Sequence, residues 1–350
     1  MKFLLKCIFL FSCFVSFAQT NQLYSVYLVG DAGEDTIPGK ALLMLKEQLI
    51  LHPNSTVVFM GDNVYPSGLK LKNKNSIARL ESQLQILKEY KGQVYFIPGN
   101  HDWDGQGPKG LKTLKHEEIY VEAYLKKKSI CLNKENATFL PEMGLPGPGT
   151  VMLNKKLRLI VIDTQWFLHG FKKNYNGSVT QTKKIFYTRL DSLLSYSKKD
   201  TEQVIIAAHH PMYTNGEHSK TRQPLRFLVN CTPLQIFGLT GMNRLLSQDI
   251  VQPKYKRMRN KILISINKYD NVTYASGHDH NLQYFKKGAN SFIVSGSGSK
   301  LSPLQKKKKF DSVFQDDTKT GFFEIEYSID GKHTTAVYRV GEEKKILDGL

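Results

Sequence analysis

The chain has 350 residues, of which 41% are hydrophobic and 23% charged. That balance buries a large core and excludes a disordered chain. Lys and Arg number 49 against 31 acidic residues, and the formal net charge of +18 favours anionic partners, phosphorylated molecules among them.

Residues 1–18 read as an export signal. Lys2 and Lys6 flank the start of an apolar run over 7–17, and Ser16, Phe17 and Ala18 form the cleavage tripeptide. Removing Lys2 and Lys6 lowers the net charge to +16. The run is too short to span a bilayer and no later stretch qualifies. The mature chain, 19–350, is therefore expected to be exported, periplasmic or secreted, as a single domain without a transmembrane span. The bulky Phe11-Ser12 lead disfavours a lipid anchor on Cys13. Of the four cysteines, Cys131 and Cys231 lie outside the signal, as one disulfide or as two buried thiols. Basic runs at 126–128 and 306–309 fall in predicted loops or helix ends and read as solvated charge, so no specific nucleic-acid recognition is expected.

Residues 23–29 form the first predicted strand, ending at Gly30-Asp31-Ala32-Gly33. A helix opening near Pro38 carries Leu42, Leu45 and Leu49 on one face. The apolar run 56–60 is a second strand, ending at Gly61-Asp62-Asn63-Val64-Tyr65. Helical spacing over 76–90 leads to a third strand at 93–97 and then Gly99-Asn100-His101-Asp102-Trp103. This alternation predicts a layered α/β fold with polar residues gathered where strands end. Further on, a helix is read at 117–126, a turn-rich connection at 141–149, a strand at 158–162 and a helix at 183–197. A strand at 203–208 ends at His209-His210-Pro211, the stretch 222–268 is mostly helical, and a strand at 271–275 precedes Gly277-His278-Asp279-His280. Strands at 292–294, 321–327 and 333–340 follow, the last two joined as a hairpin through Asp330-Gly331.

The strand ends thus offer Asp31, Asp62, Tyr65, Asn100, His101, His209, His278 and His280. Carboxylates, a phenol and imidazoles in this mixture suit a pair of first-row transition ions. The two oxygens of Asp62 allow it to bridge two ions, and a deprotonated Tyr65 is a hard anion suited to a trivalent one. Two neighbouring ions clamp an in-line displacement at phosphorus. His278 and His280 alternate with Asp279, so an extended backbone points both to one face.

Gly30-Asp31, Gly61-Asp62-x-x-Tyr65, Gly99-Asn100-His101-Asp102, His209-x-Pro211 and Gly277-His278-x-His280 resemble the ordered blocks of calcineurin-like metallophosphoesterases. Tyr65 points to the purple acid phosphatases, and the run 277–284 is similar to their small, tartrate-resistant members. The resemblance covers about residues 23–300. It implies a β-sandwich flanked by helices with the site at the C-terminal ends of strands. It further implies Asp31, Tyr65 and His280 on Fe(III); Asn100, His209 and His278 on a divalent Fe, Zn or Mn; and Asp62 between the two. Gly33 stands where many relatives of this superfamily carry a histidine, and Tyr65 takes its place in the shell. His101 is the implied acid and phosphate stabiliser, and His218 resembles a histidine near substrate in the small enzymes. His210 is left as a neighbouring or structural histidine.

The activity implied is hydrolysis of phosphate monoesters at acidic pH, by attack of a metal-bound hydroxide, by an enzyme expected to be a monomer acting on small phosphorylated substrates. A phosphodiesterase or nucleotide hydrolase on the same scaffold, and a non-catalytic basic binding module, are the competing readings. Trp103 and Trp166 read as wall or core, Asp102 and Asp163 as orienting or turn-forming acids, and 172–177 as a candidate flap or a solvated loop.

Overall fold

The protein is described by a computed structural model over residues 23–128, 138–220, 248–270, 272–328 and 332–349. The predicted export signal, Cys131, Cys231, the stretch 221–247 and the turn at 329–331 lie outside these described residues.

The N-terminal half alternates strands and helices: β1 (Tyr24–Val29), α1 (Lys40–Leu51), β2 (Ser55–Phe59), α2 (Lys74–Gln85), β3 (Gln93–Phe96) and α3 (Gly110–Lys128). Then come β4 (Gly149–Asn154), β5 (Leu157–Val161), α4 (Thr164–Leu168), α5 (Val179–Lys199), β6 (Gln203–Ala207) and α6 (Pro253–Ile266). Among the described residues, strands β7 (Val272–Ser276), β8 (Leu282–Lys287), β9 (Asn290–Ser295), β10 (Phe314–Asp316), β11 (Gly321–Tyr327), β12 (His333–Arg339) and β13 (Lys345–Asp348) follow.

Two sheets form. One runs β13-β12-β11-β1-β2-β3, the other β10-β8-β9-β7-β6-β5-β4. At the heart of each the strands are parallel, β1 with β2 and β3, and β5 with β6, β7 and β9. Antiparallel strands finish the edges. Side chains alternate along these strands, and both faces are buried. Val26, Leu28, Val58, Met60, Ile205, Ala207 and Ile293 fill one core cluster, and Tyr27, Val29, Val57, Phe59, Ile206 and Phe292 join a second with the helix residues Leu42, Leu45, Leu49, Phe186 and Ile262. A strand covered by a sheet on one side and helices on the other has no polar face, which is why its sequence reads as a continuous apolar run. Each such fully buried aliphatic side chain contributes about 1.5–3 kcal/mol.

Local signals set the helix starts. Asn73 caps α2 by accepting from Ser76 N at 3.1 Å, Ser178 caps α5 through Gln181 N at 3.1 Å, and Pro253 opens α6. The periodic reading located these helices but cut α3 and α5 short, since their first turns are polar. It missed β4, β8, β10 and β13, which lie towards the sheet edges and owe their form to partners distant in sequence. The hairpin strands pair in register from Gly321↔Arg339 to Tyr327↔His333.

Across the sandwich, Gly30 N donates to Ser295 O at 2.7 Å and Ser295 Oγ to Leu28 O at 2.6 Å. The C-terminal ends of the parallel strands of both sheets therefore meet along one rim.

Candidate metal centre

All seven proposed donors sit just past the end of a parallel strand: Asp31 after β1, Asp62 and Tyr65 after β2, Asn100 after β3, His209 after β6, and His278 and His280 after β7. The glycines in these blocks make room for carboxylates from other blocks. A Cβ on Gly99 would stand 2.2 Å from Asp62 Oδ1, and one on Gly277 2.4 Å from Asp31 Oδ2. Asp31, Asp62 and His278 take left-handed backbone angles, with φ of 57°, 56° and 73°. Non-glycine residues hold that conformation only where their surroundings over-determine it, and such strain gathers at functional sites.

The donors fall into two groups. In the first, the Tyr65 hydroxyl donates to Asp31 Oδ1 at 2.8 Å and lies 3.1 Å from both Asp62 Oδ2 and His280 Nε2. One phenolic proton cannot satisfy all these acceptors. Burial, then the Asp31 and Asp62 charges, push the Tyr65 phenol well above its ordinary range.

In the second, His209 Nε2, His278 Nδ1 and Asn100 Oδ1 lie 2.9–3.3 Å from one another, and Asp62 Oδ2 is 3.3 Å from His209 Nε2. The opposite ring nitrogens face main-chain carbonyls, His209 Nδ1 with Met60 O at 2.9 Å and His278 Nε2 with Gln248 O at 3.3 Å. Donating there leaves two imidazole lone pairs and an amide oxygen facing each other, an arrangement that repels unless a cation sits among them. Burial opposes charge on His209, but Asp62 more than offsets it and lifts the group to about 10. His278 is held neutral by burial and by the charges of the histidines around it. Donor atoms of Asp31, Asp62 and His209 all lie within 4.8 Å of one another, and all three residues are buried. The donor chemistry of both groups fits cations, with Asp62 Oδ2 common to the two.

His278 and His280 serve different groups, but an extended strand does not aim them. Both lie in the bend after β7, and the left-handed turn at His278 parts the two rings. His101 donates its backbone N–H to Asp62 Oδ1 at 2.8 Å, its Nδ1 faces Pro66 O at 2.5 Å, and its Nε2 lies 3.9 Å from Asp62 Oδ2. Its side chain is 30% exposed. His218 stacks on the His278 ring at 4.1 Å and bonds Asp249 Oδ1 through Nδ1 at 3.0 Å. Burial opposes its charge, but Asp249 more than compensates and raises it. His210 is fully buried between Thr164 Oγ1 and Gln248 Oε1, and burial with the His209 charge drives it down to about 3.

Neither Asp102 nor Asp163 orients a histidine. Asp102 accepts from the backbone N–H groups of Asp62, Asn63, Val64 and Gly99 at 2.7–3.1 Å, stitching two donor loops together. Behind it, Asn63 Nδ2 reaches buried Glu117 Oε1 at 3.0 Å, and burial with the Asp102 charge pushes Glu117 well up, so that it holds a proton. Asp163 caps α4 through Trp166 N at 3.0 Å and accepts from Trp103 Nε1 at 2.9 Å. Both tryptophans are fully buried core residues. The 172–177 loop is fastened to α4, with Lys173 Nζ donating to Trp166 O at 2.7 Å and Trp166 Nε1 to Asn174 O at 2.7 Å. Sequence reasoning passed over Gln248, Asp249 and Glu117, whose partners are distant in the chain.

A two-sheet sandwich with cation-suited donors at its converging parallel strand ends defines a metallophosphoesterase-type protein. The calcineurin-like phosphoesterase profile matches residues 25–282, and the chain belongs to that family. It is 22% identical over 253 residues to purple acid phosphatase 17 of Arabidopsis thaliana, covering 70% of this chain and 58% of that protein. The chain thus spans little more than half the length of that relative. Among solved structures, GAP50, the anchor in the inner membrane complex of Plasmodium, matches with a TM-score of 0.57 at 18% identity, covering 94% of this chain and 89% of that one. Purple acid phosphatase PPD1 from yellow lupin (Lupinus luteus) seeds gives 0.54 at 14%, covering 92% and 52%. A dimetal phosphatase from Danio rerio gives 0.50 at 11%, covering 93% and 99%. At these identities the structural likeness shows the fold. Among the described residues, no helix is long and apolar enough to cross a membrane.

Proposed function

We propose that this phosphoesterase is an exported acid phosphatase that hydrolyses phosphate monoesters with two metal ions. The observation that carries the reading is the convergence of two lone-pair-rich donor groups on a shared Asp62 oxygen. Asp31, Tyr65 and His280 would hold Fe(III), and Asn100, His209 and His278 a divalent Fe, Zn or Mn, with Asp62 between them. The choice of a trivalent ion rests on Tyr65: burial and then two carboxylates oppose its ionisation, and a strongly acidic cation reverses that balance. When bound, the ions supply Lewis acidity toward phosphoryl oxygens and acidify a water for in-line attack.

The chain's own residues do the rest. With Nδ1 committed to Pro66 O, His101 as an imidazolium carries its second proton on Nε2, on the side of Asp62. That proton is available to a phosphoryl oxygen and then to the departing alkoxide. Asp249 favours the charged form of His218, which adds positive charge beside His278. Retention of all seven donors weighs against a non-catalytic role. The pattern of residues 1–18 supports export, and the composition supports a small phosphorylated substrate.

Metal analysis with an absorption spectrum of the purified protein tests the assignment. A visible band lost in Tyr65→Phe supports Fe(III) bound to a tyrosinate. Stoichiometric Zn or Mn without colour would instead favour a phosphodiesterase or nucleotide hydrolase.

A further inference from the structure

Beside the donor rim, on the His218 side, stands a second group of cations. Lys309 Nζ donates to Ser219 O at 2.9 Å, one residue from His218, and its backbone N–H is held by Asn215 Oδ1 at 2.9 Å. Arg259 on α6 donates through Nε to Met212 O, with its guanidinium 4.9 Å from the Tyr213 ring centre and 5.7 Å from that of Phe310. Lys256, one turn earlier on α6, and Lys220 are exposed. All four lie close enough to interact: beyond burial, the charges of Arg259, Lys220 and Lys256 press Lys309 downward.

Of the carboxylates on this side, Asp249 pairs with His218, and Asp279 accepts from Thr214 Oγ1 and His218 N. Like charges gathered near one another cost free energy, which a polyanion returns on binding. Among the described residues, the ring beside these cations is covered. Arg259 and Lys287 lie over Tyr213, whose ring packs against Phe292 at 4.7 Å and Phe310 at 5.1 Å. Bases stack on such faces, and this ring is already covered, so the described part of the cluster favours reading charge over bases.

We propose that Lys220, Lys256, Arg259 and Lys309 form a subsite for the phosphates that follow the scissile one, and that the preferred substrate is an oligophosphate chain. This rests on the phosphatase reading above and extends it to substrate class. Lys256 and Lys309 head the test, because Arg259 also packs the fold.

Lys256→Gln/Lys309→Gln is compared with the native protein, metals bound as purified, on inorganic tripolyphosphate and on 4-nitrophenyl phosphate. The KM for tripolyphosphate is expected to rise about tenfold with kcat and 4-nitrophenyl phosphate kinetics nearly unchanged. No change, or an equal rise for both substrates, overturns the subsite. If the double variant does not fold, Lys256→Gln alone, at an exposed helix position, is expected to raise the same KM about threefold, and no rise overturns the subsite. Calorimetric titration with tripolyphosphate separates this proposal from the phosphatase reading. Binding that the variant loses, in a protein that hydrolyses neither compound, supports the subsite and sinks the phosphatase. Absence of binding overturns the subsite. A single-stranded oligonucleotide bound as tightly as tripolyphosphate, and lost alike in the variant, overturns it in favour of nucleic acid.

Discussion

The two ends of the same parallel strands are built to opposite rules. At the end where β5 and β6 begin, Arg158 grips Glu202 through Nε at 2.6 Å and Nη2 at 2.9 Å, and Ser197 Oγ adds a third bond to that carboxylate at 2.8 Å. Charge there meets opposite charge, and the hollow of about 260 Å³ alongside is lined by side chains such as Leu194, Val204 and Tyr269. At the other end, acceptors face acceptors, buried carboxylates crowd a phenol, and three donor residues sit in left-handed backbone. One end pairs its charges with each other; the other leaves lone pairs facing one another, as the proposed metal centre requires. Stability and function are thus separated along the strand axis, with the inter-sheet core between them.

Substitutions at each end should affect different observables. The largest effect is expected from Asp62→Ala: phosphatase kcat on 4-nitrophenyl phosphate falls by at least about 1,000-fold while the thermal midpoint changes little or rises, since a strained, buried acid is removed. A midpoint collapse would mean that Asp62 supports the fold as Glu202 does. At the other end, Glu202→Ala leaves Arg158, 11% exposed, without its partner and should cost about 3 kcal/mol in denaturant unfolding, with kcat per folded molecule unchanged. Burial opposes ionisation of Glu202 but Arg158 more than offsets it, so its folded pKa lies below the unfolded value. Its stabilisation is present above about pH 4.3 and is lost as pH falls through the lower folded value; the variant should lack that acid-side slope.

His101→Ala should lower kcat about 100-fold with little change in the melt, because its ring is part-exposed and serves chemistry. A loss confined to KM would assign it to binding alone. The smallest effect is expected from Glu117→Gln. An acid that holds its proton is closely matched by an amide, so unfolding should shift by less than about 1 kcal/mol and activity by less than about threefold. A larger loss of both would show that Glu117 carries charge toward Asp102.

Much of this was legible in the sequence because the donors follow apolar strands directly and each block is short. Asp31, Asp62, Asn100 and His209 could be read as strand-end residues from their neighbours alone. The role of Asp102 could not, since its partners are backbone N–H groups, and an N–H group has no residue identity. Nor could the aim of His209 and His278, which follows from the carbonyls of Met60 and Gln248. His278 was read as part of an alternating strand because nothing in Gly-His-Asp-His announces a left-handed turn. The cations around Lys309 come from separate segments, and their nearness depends on how α6 lies against the 209–219 turn.

By itself, the sequence determined the strands of the parallel cores, the helices over them and the chemical identity of the donors. These depend on side-chain type and on periodicities of two and 3.6, which are local. Only the tertiary structure decided how the two sheets face each other, which edge strands complete them and which lone pairs confront one another at the rim. Those outcomes depend on distances between segments remote in the chain, and on main-chain atoms that every residue shares.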